Sequence, residues 1–208
     1  NFYGQTEMAP VATILRPEDQ VRKLGSAGRP ALNVETRVVD DNDEPVAVGE
    51  VGEVVHRSPH LISEYYNDTD KTADAFRNGW FHSGDLGRYD DEGYLYIVDR
   101  KKDMIKTGGE NVASREVEES IFRHPDVAEV AVFGVPHPKW IEAVTAIVVL
   151  KAGASATVEQ IQTYCRENLT HYKAPKHIAI TDQLPKNASG KILKRDLRQQ
   201  YGDVFAED

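Results

Sequence analysis

Three short stretches carry residues whose types and order can do chemistry. "YGQTE" (Tyr3 to Glu7) sets a glycine, which lets backbone approach a ligand, beside a threonine hydroxyl and a glutamate able to hold a metal ion. Alone, the pattern fits any loop. "GWFHSGDLG" (Gly79 to Gly87) places Asp85 after a glycine at a strand boundary, where a carboxylate can accept two hydroxyl hydrogen bonds, as from a ribose. On this segment alone an Asx-turn is the preferred reading. "LPKNASGKILKRDLR" (Leu184 to Arg198) sets Lys191 after Ser-Gly in a loop that precedes a helix. It is not a Walker phosphate loop, because Pro185 stands where that pattern needs glycine and Ile192 where it needs Ser or Thr. A lysine on a glycine loop still suits delivery of positive charge to a phosphate, although most lysines are merely solvated. The seven histidines show no metal-ligand spacing, and His82 reads as a packing or surface residue.

The elements that must position these residues change in character along the chain. The first half reads mostly as strands. "NVETRVVD" alternates and stops at the acidic turn "DNDE", and "GEVVHRS" follows after glycines. "DTDKTADAF" is a short helix with Asp68 or Thr69 available as N-cap. "WFHS", "LGRYD" and "YLYIVD" read as three strands, the last two joined by an Asp-Glu-Gly turn. In the second half Ser114 can cap a helix over "REVEESIFRH", with Val117 and Ile121 on one face. "VAEVAVFGV" and "AVTAIVVLK" are apolar enough to be buried strands. Thr157 and Gln160 form a capping box for "VEQIQTYCRENL", whose Ile161, Tyr164, Cys165 and Leu169 make an apolar stripe. Cys165 is a core residue on that stripe rather than a nucleophile. A final helix carries Leu193 and Leu197. The charged burst Asp99 to Lys102 lies where the β-rich part gives way to the α+β part, and such a run usually reads as a solvated linker.

Composition bounds the function. A chain of 208 residues is long enough for one or two domains, each with a core. The net charge of -9 disfavours nonspecific nucleic-acid binding, which needs a basic face. A single cysteine excludes an intrachain disulfide and fits a reducing compartment. No apolar run approaches the ~20 residues of a membrane span, and the first residues lack the regions of a signal peptide. The expectation is a cytoplasmic protein.

Together, and in this order, the segments resemble the adenylate-forming superfamily of acyl-CoA synthetases, peptide-synthetase adenylation domains and beetle luciferases. "YGQTE", "GWFHSGDLG", "GYLYIVDRKKDMIKTGGENV", "EVEE", "YKAP" and "ASGKILKRDLR" carry the resemblance over essentially the whole chain. The wording "GGEN" and "VPHPKW" looks most like fatty-acyl and other carboxylate CoA ligases. The resemblance implies an α+β fold: residues 1–101 as the β-rich end of a large N-terminal, nucleotide-binding domain, and 102–208 as a small mobile C-terminal domain with mixed sheet and helices. It implies an acyl-adenylate made from a fatty or other carboxylic acid and ATP with Mg2+, after which the small domain rotates and CoA displaces AMP.

Site roles follow from the same resemblance. Tyr3 would stack on adenine, Thr6 would contact the α-phosphate and Glu7 would ligate magnesium. Asp85 would bind the ribose hydroxyls, assisted by Arg100. Lys102 falls on the hinge, and Lys191 would serve the adenylation step. Lys106 and the Gly108-Gly109-Glu110 turn would serve the thioester step, the glycines letting the pantetheine arm pass. Ile141 departs from the family, standing where relatives often have glycine, as does Ala113-Ser114 in place of a common Tyr-Pro. The family's phosphate loop and acyl pocket precede "YGQTE", so the chain is expected to be a C-terminal fragment, inactive alone, of a longer ligase. The alternatives are an adenylation domain loading a carrier protein and a non-catalytic binding module of the same fold.

Overall fold

The computed structural model describes residues 1–206; Glu207 and Asp208, the end of the expected second domain, lie outside the described residues. The chain divides into two compact units, Asn1–Lys102 and Asp103–Asp208. The fold is α+β.

The first unit holds two antiparallel sheets. The small one is β1 (Phe2–Tyr3), β2 (Thr13–Ile14) and β3 (Arg29–Pro30) in that order. The larger contains β4 (Glu35–Val39), β5 (Gly52–Arg57), β6 (Phe76–Arg77), β7 (Trp80–Tyr89) and β8 (Leu95–Arg100), with β5 between β4 and β7, and both β6 and β8 on β7. Helix α1 (Thr69–Ala75) starts at Asp68, whose carboxylate accepts from the Lys71 amide at 3.0 Å. Tyr3 packs against two clusters, one of Ala27, Val38, Val54 and Leu95 and one of Met8, Ala12 and Val34. It is therefore held by the cores that flank both sheets. Trp80 is enclosed by the guanidinium groups of Arg37 and Arg57, 4.5 and 4.3 Å from its ring.

Two expectations change here. "WFHS" and "LGRYD" are one ten-residue strand, β7. Gly84 takes φ +69°, and the pairing slips between Leu86 and Gly87 against β8, so the strand bends and continues where the glycine suggested an end. The charged burst is not a solvated linker throughout. Asp99 and Asp103 are buried, and Lys101 binds Asp41 and Glu53 at 3.0 and 3.1 Å; Lys102 is exposed.

The second unit is a mixed sheet with helices. Its strands are β9 (Ile105–Thr107), β10 (Glu110–Val112), β11 (Val127–His137), β12 (Ile141–Leu150) and β13 (His177–Ile180). The order is β10-β9-β12-β11, with β13 parallel to β12. The helices are α2 (Ser114–Phe122), α3 (Val158–Asn168) and α4 (Lys194–Tyr201). Val130, Val132, Val144, Ala146 and Val148 join the cluster that contains Val117 and Ile121 of α2 and Ile161 and Cys165 of α3. Ala131, Phe133, Val135, Ala143 and Ile147 join Leu184 and Leu197 of α4. Odd and even positions of β11 and β12 thus feed two separate cores, which is why both strands read as continuous apolar runs. The Thr157–Gln160 capping box is formed. Ser114 is not the N-cap of α2: Ala113 holds that position with no side-chain bond, and the Ser114 hydroxyl accepts from Lys194 Nζ at 2.8 Å. Leu193 caps α4 rather than lying in it.

The β11–β12 hairpin closes through Pro138, Lys139 and Trp140, with His137 opposite Ile141. A three-residue connection of this kind ends on a residue in the left-handed region, usually glycine. Here the residue in that region is Ile141, the first of β12 and one place beyond the connection, at φ +72° and 70% exposed.

Candidate functional site

In the first unit the structure brings Tyr3, Asp85 and Arg100 together. Asp85 and Arg100 are directly opposite on β7 and β8. The Tyr3 hydroxyl donates to Asp85 Oδ2 at 2.7 Å, and Arg100 Nε lies 3.0 Å from Oδ1 as an ion pair without hydrogen-bond alignment. The Asx-turn suggested for Asp85 is not formed; the residue is inside a strand. A carboxylate offers about four lone-pair positions. With one position taken on Oδ2 by Tyr3 and Oδ1 held only by the Arg100 charge, acceptor capacity remains for two neighbouring hydroxyls. Burial first, then the charge and hydrogen bond of Asp85, push the Tyr3 phenol far above its ordinary value, so it stays a donor.

Residues with no sequence signal hold this cluster in place. The Ser83 hydroxyl donates to the Val54 carbonyl at 2.5 Å and accepts from the Asp85 amide at 3.0 Å. Buried Glu53 accepts from the Gly84 amide at 3.2 Å. The bend before Asp85 is therefore tied to β5 at two points. His56 lies behind the Tyr3 ring, centroids 5.9 Å apart, with Nδ1 3.0 Å from the Thr36 hydroxyl.

Thr6 and Glu7 open a 3-10 turn just after β1. Thr6 is exposed. Glu7 is half-buried, and its Oε1 accepts from the Tyr65 hydroxyl at 2.9 Å. Burial and this bond push the Tyr65 phenol up to about 12. Glu7 Oε2 has no partner among the described residues, and no group of three or more His, Cys, Asp or Glu is placed to hold a metal there. A lone carboxylate suits magnesium, which is commonly bound through one or two carboxylates plus substrate phosphates. Gly4 has a reason of its own: a Cβ would run into the Pro10 carbonyl, so the loop's own backbone takes the space that the sequence assigned to a ligand.

In the second unit Gly108 and Gly109 form a two-residue hairpin loop between Thr107 and Glu110, both at positive φ. That is the primed turn that Gly-Gly favours. The Gly108 amide donates to the Trp140 carbonyl at 3.0 Å, which docks this hairpin beside Ile141. Lys106 on β9 is exposed, its amide fixed to Glu142 at 2.7 Å. Lys191 stands on an exposed loop before α4, with no partner for its ammonium among the described residues. Lys102 lies in the 3-10 turn Lys101–Asp103, where the two units divide. Cys165 is fully buried and its thiol is pushed up to about 11 by burial, which suits packing and not attack. No helix among the described residues is long and apolar enough to cross a membrane.

Residues 1–66 match the family model of AMP-binding enzymes, and residues 116–191 match that of the AMP-binding enzyme C-terminal domain. The chain is 48% identical over 199 residues to the long-chain-fatty-acid–CoA ligase FadD13 of Mycobacterium tuberculosis, covering 96% of this chain and 39% of that one. It is 42% identical over 200 residues to a feruloyl-CoA synthase of Amycolatopsis, covering 96% and 41%. Among solved structures it is similar to the O-succinylbenzoate coenzyme A synthetase MenE of Bacillus subtilis in complex with ATP and magnesium, with a TM-score of 0.88, 36% identity and coverage of 95% and 41%. The chain thus spans about two-fifths of the length of the relatives it matches.

Proposed function

Because the chain belongs to the AMP-binding, adenylate-forming enzymes whose members include CoA ligases, we propose that it serves a full-length ligase that activates a carboxylic acid with MgATP and passes the acyl group to CoA. Within that reading the first unit supplies one wall of the nucleotide site. The observation that carries it is the Tyr3–Asp85–Arg100 cluster: a ring fixed through its hydroxyl, a carboxylate with acceptor capacity to spare and a guanidinium beside it. Tyr3 would lie against the adenine and Asp85 would accept the two ribose hydroxyls, with Arg100 holding the carboxylate in place. Thr6 would meet the α-phosphate. Magnesium, when bound with ATP at Glu7, would neutralise phosphate charge.

From the second unit Lys191 would bring a cation to the α-phosphate as negative charge develops there. Lys106 and the Gly108-Gly109-Glu110 hairpin would belong to the thioester step, and Lys102 would be the pivot between the two working arrangements. The boundary of the domains is proposed after residue 101. A fatty acid is the proposed substrate class, supported by the likeness to FadD13; the feruloyl and succinylbenzoyl relatives set the competing classes.

The test is pyrophosphate exchange and acyl-CoA formation by a full-length ligase carrying this chain, with fatty, hydroxycinnamic and succinylbenzoic acids. Exchange strongest with fatty acids supports the reading in full. Turnover of another class moves the substrate, transfer only to a carrier protein moves the acceptor, and no exchange with any acid overturns the activity. The 208-residue chain alone is expected to show none.

A further inference from the structure

The loop that presents Lys191 is assembled around a single side chain. Asn187 Oδ1 accepts from the Ser189 amide at 3.0 Å, the Ser189 hydroxyl at 2.8 Å and the Lys191 amide at 2.9 Å. Two backbone bonds close the same loop, Asn187 N–H to the Lys191 carbonyl and Gly190 N–H to the Asn187 carbonyl, both 2.9 Å. Gly190 makes the return possible at φ +83°, and Lys186 pairs with Ile192 across the base. Residues 187–191 are all exposed, so no core packing holds them. Their conformation rests on hydrogen bonds, and three of these converge on one oxygen.

A lysine suits charge delivery but is a poor self-positioner, since its four-carbon stem carries about 2 kcal/mol of rotamer entropy. If the backbone beneath it also fluctuates, the ammonium is spread over a larger volume and is less often at the phosphate. We propose that Asn187 is the positioning residue of Lys191: it touches neither the ammonium nor the substrate, and it acts by fixing the Cα from which the lysine reaches. This inference rests on the role assigned to Lys191 above.

The experiment compares Asn187→Leu, Asn187→Asp, Lys191→Ala and the Asn187→Leu/Lys191→Ala double variant in the full-length ligase. Leucine keeps the side chain's shape and removes the acceptor; aspartate keeps the acceptor. Asn187→Leu is expected to lower kcat for pyrophosphate exchange by roughly 10- to 100-fold with KM for ATP nearly unchanged, the size of effect that a misplacement of about 1 Å can have. Thioester formation from supplied acyl-adenylate should be untouched, and Asn187→Asp should restore most of the exchange. In the Lys191→Ala background, Asn187→Leu should add no further loss, because the group it positions is gone. Wild-type exchange in Asn187→Leu, or an equal further loss in the double variant, overturns the inference. If Lys191→Ala itself exchanges normally, the reading of Lys191 fails and this inference with it. Loss in Lys191→Ala with full activity in Asn187→Leu sinks the positioning role alone.

Discussion

Replacing Ile141 by glycine and by alanine should reverse the order of stability that these two residues normally show. Ile141 closes the β11–β12 hairpin at φ +72°. A side chain with a Cβ in the left-handed region costs about 1–2 kcal/mol, and a β-branched one belongs at the upper end. The residue is 70% exposed, so truncation gives up only about a third of the burial worth of an isoleucine, under ~1 kcal/mol. Ile141→Ala keeps the Cβ and most of the strain while losing those contacts, and should be mildly destabilised. Ile141→Gly loses the same contacts and releases the strain, against ~0.5–1 kcal/mol for glycine's freedom in the unfolded chain. The strain term is the larger, so glycine should exceed alanine by roughly 0.5–1 kcal/mol. At an ordinary strand position alanine leads by a similar amount. For a unit of this size the difference is about 2–8 °C in Tm. Calorimetry of the 208-residue chain, with the transition of the second unit followed by Trp140 fluorescence in a Trp80→Phe background, reads it directly. An alanine variant as stable as the glycine variant would refute the strain argument.

Four further outcomes are expected. Lys191→Ala in the full-length ligase should lose adenylation by two or more orders of magnitude, about 3 kcal/mol, while thioester formation from supplied acyl-adenylate survives; equal loss in both half-reactions contradicts the role. Asp85→Ala should raise KM for ATP more than KM for the acid, and an unchanged ATP dependence would remove Asp85 from the nucleotide site. His56 is fully buried, and burial pushes its pKa down to about 4. Between that value and the unfolded value near 6.5 the unfolded chain binds the extra proton, so stability is complete above about pH 6.5 and falls by about 3 kcal/mol as pH drops to 4; an equal acid loss in His56→Gln would show that another group is responsible. Lys102→Pro, which locks φ near -65°, should permit pyrophosphate exchange and block acyl-CoA formation, whereas acyl-CoA made at the wild-type rate places the pivot elsewhere.

What could be read in advance depended on how far apart in sequence the interacting groups lie. The Thr157–Gln160 box, the Asp68 cap and the two buried strands are local, each set by residues within a turn or by a period along one strand, and they formed as read. Ser114 failed because a serine one place inside the helix looks the same in sequence as a cap, and here its hydroxyl accepts from Lys194, eighty residues on. The Asx-turn expected at Asp85 failed for a long-range one. That turn is what a lone Gly-Asp suggests, but Tyr3 lies 82 residues away and no local pattern announces the contact. Family likeness pointed at the same residues, without saying what holds them. Glu53, Ser83 and His56 remained invisible because their work is done across strands, where only register decides which side chains meet. Asn187 is the opposite case, since Asn-x-Ser-Gly is a readable Asx-type turn. Its meaning appeared only when the loop proved to be exposed throughout, held by hydrogen bonds with no core packing. The first unit thus fixes its polar cluster by strand pairing and burial, and the second presents its lysine from an exposed loop held by hydrogen bonds, three of them to one amide oxygen. A substitution beneath Asp85 should therefore register first in stability, and one at Asn187 first in rate.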